Sequence, residues 1–326
     1  MRIILFYLSF LLLCTESVLA QNEQKMFYAL NTNPYLLDQI TTSNPSVAYS
    51  VRKLKRKYTG YAMRVRRSSG GSPSGDVAFD GTGVVSGNSI ITITTVGTSG
   101  YTLGAKMNFS TFYSGASVYV STWYDQSGNS RDVTQSTAGQ QPRIVNAGTL
   151  EVSNSKASVK FINANSTLLT ATIPSTTMFT SGYQGTASLV LEASSGSTSA
   201  FGYSDGGTDR WQAHMDEGSF LYFDVGSSYT RLSYTNSANQ GLLRTYALVA
   251  GVSLQQIWVS GSMVASASGA LSASTTSAFN IGGIPLFPGT WYHDDHQSEL
   301  IIFPTNLSNS DLSKLYNNQK VFFGTP

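Results

Sequence analysis

The sequence predicts an all-β chain, folded as an antiparallel sandwich or jelly roll, on three observations. Short β-branched or aromatic runs recur from residue 61 to 303, separated by clusters of Gly, Ser, Asn and Thr. Helical periodicity is confined to a stretch near each end. No repeat of fixed period runs through the chain, which argues against a propeller or solenoid.

The elements follow in order. Arg2, the apolar run Ile3 to Leu13 and the small-residue site Val18-Leu19-Ala20 predict a secretory signal over residues 1–20, too short for a permanent membrane anchor. Residues 21–44 read as a linker and 45–326 as one jelly-roll domain. The only cysteine, Cys14, lies in the signal, so the exported chain would hold no disulfide and would depend on its core. Asn44 and Pro45 suit the start of a short helix over Asn44 to Tyr58, with Val47, Tyr49, Val51 and Leu54 as its apolar contacts. From Tyr61 the period falls to two: Met63 and Val65 alternate with Arg64 and Arg66. Further strands are expected at Ile90 to Val96, Val118 to Trp123, Ala157 to Phe161, Ala187 to Leu191, Phe220 to Phe223, Tyr246 to Gly251, Gln256 to Val259 and Glu299 to Phe303. Ser194 to Ser199 and Ser266 to Ser277 read as loops, the second alternating enough to hide an edge strand. Ser308-Asn309-Ser310-Asp311 ahead of Leu312 and Leu315 opens a short C-terminal helix.

Charged residues make up 12% of the chain and the net charge is +2, yet no acid lies between Asp38 and Asp76 while eight cations do. Arg52, Lys53, Lys55, Arg56 and Lys57 form the densest part, read either as a solvated face or as a site for an anionic polymer. Nucleic acid is not the expected partner of an exported chain. No segment beyond the signal is apolar enough to span a membrane.

One run, "WYDQSGNSRDVTQ" from Trp123, ends a strand with a turn. Asp125 can accept from backbone N–H groups two residues on, and Gly128 and Asn129 tolerate positive φ. Asp125, Gln126, Gly128 and Asn129 are therefore expected to be scaffold. Together with "QPRIV" from Gln141 and "AYSVRKLKRKYTGYAMRVRRSS" from Ala48, this run resembles exported proteins related to the catalytic domain of α-L-arabinofuranosidase B, glycoside hydrolase family 54. The resemblance implies a concanavalin A-like jelly roll and places the turn away from the arabinose pocket. It also implies a nucleophilic glutamate six residues after a tryptophan, matched by Trp211, Glu217 and the following Phe220. The family's acid follows an Ile-Gly-Gly turn. Here Ile281-Gly282-Gly283 is followed by Ile284, which cannot transfer a proton, and the family's paired pocket cysteines are absent.

A retaining glycosidase needs two carboxylates facing each other across the scissile bond. Glu217 is the candidate nucleophile; the tip of a hairpin with Asp216 and Gly218 is the other reading of the same residues. Asp294 or Asp295 is the candidate acid if its loop shares a face with Glu217. Trp211, His214, Asp216, Tyr222, Trp291, Tyr292 and His293 are the candidate sugar contacts, since aromatic faces and polar loops suit a glycan. No cofactor is expected. His293, Asp294, Asp295 and His296 are cation-ligand types, but strand alternation separates them unless a bulge intervenes. The expectation is an exported polysaccharide-recognising sandwich with an altered glycosidase site. Its rivals are an active α-L-arabinofuranosidase and a surface adhesion or display protein. Asn108, Asn165 and Asn306 sit in N-glycosylation patterns and are expected in surface loops.

Overall fold

The computed structural model describes residues 34–98, 100–196, 198–204, 208–276, 278–285 and 291–326, and the expected signal lies outside them. Antiparallel pairing builds two sheets. One runs Lys106–Asn108, Ile90–Thr95, Ser74–Val77, Met63–Arg67, Val118–Trp123, Val133–Thr134, Leu169–Thr172, Ala278–Ile281, Ser199–Ser204, Arg210–Glu217, Phe220–Gly226 and Thr230–Thr235. The other is centred on Asp295–Phe303, which pairs with Val47–Ser50, Val159–Phe161 and Gly185–Leu191 and continues through Arg244–Gly251 and Leu254–Val259 to Ser262–Ser268. Val118–Trp123 also pairs with Arg143–Asn146, which joins the two. This is the expected antiparallel sandwich.

Alternation decides what each face holds. On the first sheet Met63, Val77, Ile91, Trp123, Val133, Leu169, Phe279, Phe201, Trp211, Phe223 and Leu232 point into the main core. Their chain neighbours on the opposite face pair in register as Thr92, Asp76, Arg64, Thr122, Thr134, Thr170, Asn280, Gly202, Gln212, Asp224 and Arg231, a polar band across eleven strands. On the second sheet the end of Asp295–Phe303, from Leu300, is apolar on both faces. Leu300 and Ile302 enter the main core, while Ile301 and Phe303 pack under Leu312 and Leu315. The latter belong to the C-terminal helix, Asn309–Phe323, which Ser308 caps by accepting from Asp311 N–H and Gly324 ends at positive φ.

Four differences from the sequence reading have physical causes. Val47–Ser50 is a fully buried strand, not part of a helix over Asn44 to Tyr58, because Val47 and Tyr49 serve the main core while Ala48 serves the layer under the helix. The supposed linker is packed from Tyr35, which begins the compact unit reaching Pro326; Leu36, Leu37 and Ile40 are buried in the outer layer. An edge strand, Ser262–Ser268, begins ahead of the serine-rich stretch and takes in only Ser266 to Ser268 of it, the described remainder to Thr276 being loop. Arg52 is withdrawn from the proposed basic surface. It is 2% exposed and forms a two-point ion pair with Glu299, with Asn318 accepting from its Nη1. Asn108, Asn165 and Asn306 are all exposed, as expected.

The turn after Trp123 completes the sheet with side chains. Val47–Ser50 has a strand on one edge only, and the Asp125 to Asn129 turn supplies the missing partners on the other. Asp125 Oδ1 accepts from Ala48 N–H at 2.8 Å, and Ala48 C=O accepts from Gln126 N–H at 2.8 Å. The Gln126 amide accepts from Leu54 N–H and donates to the Arg52 carbonyl, while Asn129 donates to the carbonyls of Pro45 and Ser46. Gly128, at φ +100°, lets the chain turn back. These hydrogen bonds tie the stretch to the backbone of residues 45–54.

Candidate functional site

The polar band gathers charged and aromatic side chains where Arg210–Glu217 crosses it. This strand alternates strictly, with Trp211, Ala213 and Met215 in the core and Arg210, Gln212 and His214 on the band. Asp224 anchors the cluster. Its Oδ1 accepts from Arg231 Nε at 2.8 Å and its Oδ2 from Arg231 Nη2 at 2.8 Å and Arg210 Nη1 at 3.1 Å. The two guanidiniums lie over aromatic rings: Arg210 over Tyr229 at 4.0 Å and Trp291 at 4.8 Å, Arg231 over Tyr222 at 4.2 Å. Phe220 stacks beside Tyr222 at 5.8 Å, and Trp291 meets the His214 ring edge-on at 4.9 Å.

His214 lies between two carboxylates, with Nε2 at 3.8 Å from Asp224 and Nδ1 at 3.7 Å from Glu217 Oε2. Burial is the main cause that lowers its pKa, to about 4, with Asp224 opposing and the two arginines assisting. It is therefore a neutral ring at pH 7. Gln212 Nε2 sits 2.8 Å from His214 Nε2. With the amide so oriented, Nε2 accepts and Nδ1 carries the proton towards Glu217.

The cluster is under-satisfied. Ser199 Oγ, Gln212 Oε1, His214 Nδ1, Asp216 Oδ1, Glu217 Oε2 and Asn280 Oδ1 are buried without a hydrogen-bond partner among the described residues. Ser199 pairs with His214, and Asn280 pairs with Gly202, which pairs in turn with Gln212, so these atoms come from adjacent strands. Leaving one such atom unpaired costs ~1–3 kcal/mol. These atoms lie close to the rings of Tyr222 and Trp291, which are half-buried.

The expected site residues divide. Glu217, His214, Asp216, Tyr222 and Trp291 belong to this region, Glu217 beside the hairpin turn with its side chain 39% exposed. Asp216 is tied by Oδ2 to Gly196 N–H and the Gln240 amide. Trp211 is a core residue instead: Phe179 stacks on its face at 4.1 Å and it has no exposed surface. Tyr292 is 2% exposed, lying against Gly283, where a Cβ would clash with its ring. His293 is fully buried edge-on to Phe161, and burial lowers its pKa to about 4. These three rings have no face left for a sugar.

Asp294 and Asp295 are engaged elsewhere. Asp294 Oδ1 accepts from Asn163 N–H. Asp295 accepts from Lys160, Ser194 and His296; burial alone would raise its pKa, yet these hydrogen bonds hold it far below the usual carboxylate range. Ile284 is fully buried and donates its N–H to the Trp291 carbonyl.

Of the four expected cation-ligand types, only Asp295 and His296 come together, joined by Glu192 with ligand atoms within 4.8 Å of one another. His296 is already the cation there. Burial opposes its charge, but hydrogen bonds to Asp295, Glu151 and Glu192 raise its pKa to about 10. With Lys160 on Asp295 and Arg143 on Glu151, three carboxylates face three cationic side chains. The cluster's charge is balanced by the protein itself.

Gln212, Asn280, Ser199, Asp224, Arg210 and Arg231 were missed by the sequence reading. The alternation of Arg210, Gln212 and His214 with Trp211, Ala213 and Met215 was the signal that could have found part of the group.

No protein-family model matches the chain, and no curated protein matches it. Solved structures do. A family 54 α-L-arabinofuranosidase soaked with a cyclic sulfate inhibitor aligns with a TM-score of 0.56 at 13% identity, over 88% of this chain and 65% of that one. The fold is distantly like that of family 54. A glutamate-to-glutamine variant of such an enzyme, soaked with 4-nitrophenyl α-L-arabinofuranoside, aligns with a TM-score of 0.57 at 13% identity and the same coverage. An arabinofuranosidase complexed with arabinofuranosyl-α-1,2-xylobiose aligns with a TM-score of 0.55 at 14% identity, again over 88% and 65%. The chain thus spans about two thirds of the length of these enzymes, and at such identities the likeness is one of fold.

Proposed function

We propose that the chain is an exported glycan-recognising sandwich whose binding site is the cluster of Gln212, His214, Glu217, Asn280, Tyr222 and Trp291, on a fold whose glycosidase chemistry has been altered or lost. The signal-like residues 1–20 support export. The observation that carries the binding reading is the group of unpartnered buried polar atoms beside Tyr222 and Trp291, since sugar hydroxyls both donate and accept and ring faces suit the apolar side of a sugar. The neighbours' ligands, an aryl arabinofuranoside and an arabinofuranosyl xylobiose, direct the choice of glycan towards arabinose-containing polysaccharides.

The altered chemistry rests on the second carboxylate. Glu217 faces a neutral imidazole, Asp224 is held by two guanidiniums, and the resemblance to family 54 would put the buried Ile284 at the place of the acid. The test incubates the protein with 4-nitrophenyl α-L-arabinofuranoside and titrates it with arabinoxylan and arabinan fragments. Binding without release of nitrophenol is the expected result. Turnover abolished by Glu217→Gln would overturn the loss of chemistry, and absence of binding to every fragment would overturn the glycan reading itself.

A further inference from the structure

The polar band does not stop at the cluster around Gln212. From Asn280 it continues in register through Thr170, Thr134, Thr122 and Arg64 to Asp76. At ~4.8 Å per strand, Asn280 and Arg64 are ~19 Å apart along the band, the span of several sugar rings. At its far end lies a second group with the same ingredients. Asp76 accepts from Arg64 Nε at 2.8 Å, Arg64 Nη2 at 2.9 Å and Tyr124 O–H at 2.7 Å. The Tyr124 ring lies 6.4 Å from that of Tyr61, which is 37% exposed. Between the two groups Thr134 is exposed, and Thr122 and Thr170 are half-buried with hydroxyl groups on the band.

We propose that Tyr61, Tyr124 and the Arg64–Asp76 pair form a second carbohydrate subsite, so that the ligand is a linear, uncharged polysaccharide laid across the sheet. The inference rests on the glycan reading of the first cluster and adds a far subsite and a ligand shape to it. Three features select this occupant. The band's arginines and carboxylates are paired with one another, Arg64 with Asp76 and Arg210 and Arg231 with Asp224, which leaves little unbalanced charge for an ionic polymer. Threonine hydroxyls and fixed guanidiniums offer the donors and acceptors that a polyhydroxyl chain matches. Aromatic rings at both ends give each end of the chain an apolar face to rest on.

Affinity is read by titration calorimetry against α-1,5-linked arabino-oligosaccharides and β-1,4-linked xylo-oligosaccharides, from the disaccharide to the decasaccharide. The wild-type protein should bind the long members of one series about tenfold tighter than the disaccharide, the gain appearing once the chain can reach Arg64. Tyr61→Ala trims the far subsite, and Thr134→Trp blocks the path without touching either group. Both positions are exposed, and unchanged melting temperatures would verify folding. Each variant should lose the gain for long chains and keep the disaccharide affinity. Length-independent affinity in the wild type, or long-chain affinity unaffected by both substitutions, would overturn the second subsite while leaving the first intact. No binding at any length would instead remove the glycan reading and this inference with it.

Discussion

The turn Asp125 to Asn129 and the strand segment Gln212 to Glu217 have nearly the same chemical vocabulary of carboxylates and amides, and opposite accounts of their hydrogen bonds. In the turn, both Asp125 oxygens, both ends of the Gln126 amide, the Ser127 hydroxyl and the Asn129 amide nitrogen are engaged, mostly with the backbone of residues 45–54. In the strand, Gln212 Oε1, His214 Nδ1, Asp216 Oδ1 and Glu217 Oε2 are buried and unpartnered. Polar composition alone does not distinguish scaffold from site; the destination of each hydrogen bond does.

Four measurements test this contrast. The largest effect is expected from acid. Burial holds His214 and His293 at about 4, against about 6.5 in an unfolded chain. Below pH 6.5 the unfolded state takes up protons that the native state refuses, so the stability present above 6.5 is lost as pH falls through about 4, by ~3 kcal/mol per ring. His296, raised to about 10, behaves oppositely: its contribution is complete below 6.5 and is lost as pH rises through 10. Denaturant unfolding across pH checks both limbs, and His214→Gln should flatten the acid limb by its own share.

Asp125→Ala comes next. It strips partners from Ala48 N–H, Ser127 N–H and Arg131 N–H and should cost ~2–3 kcal/mol in chemical denaturation. Gly128→Ala should cost ~1 kcal/mol, from the positive φ alone, since a Cβ there meets open space. Glu217→Gln should be the smallest, within ~0.5 kcal/mol, because the side chain is partly exposed and already lacks a close partner.

What was legible in the sequence was local. Strand alternation and the Ser308 cap need only near neighbours, and the structure has them as read. The Val47–Ser50 strand was not legible because its free edge is completed by Asp125 and Gln126, more than seventy residues away. The polar band was hidden for the same reason. Thr122, Thr134, Thr170, Asn280 and Gln212 become neighbours only when strands distant in the chain pair. Trp211 misled because it alternates with Arg210 and Gln212 and so faces the core, and Tyr292 because it is buried against Gly283.

The most direct test of the contrast measures stability and arabinoxylan-fragment affinity together for Asp125→Ala and Glu217→Gln, working at a temperature where both variants are folded. The account predicts that Asp125→Ala lowers stability and leaves the affinity of folded protein unchanged, while Glu217→Gln leaves stability unchanged and weakens or alters binding. Loss of binding in Asp125→Ala at full stability, with Glu217→Gln indistinguishable from wild type, would place the site at the turn and contradict the account.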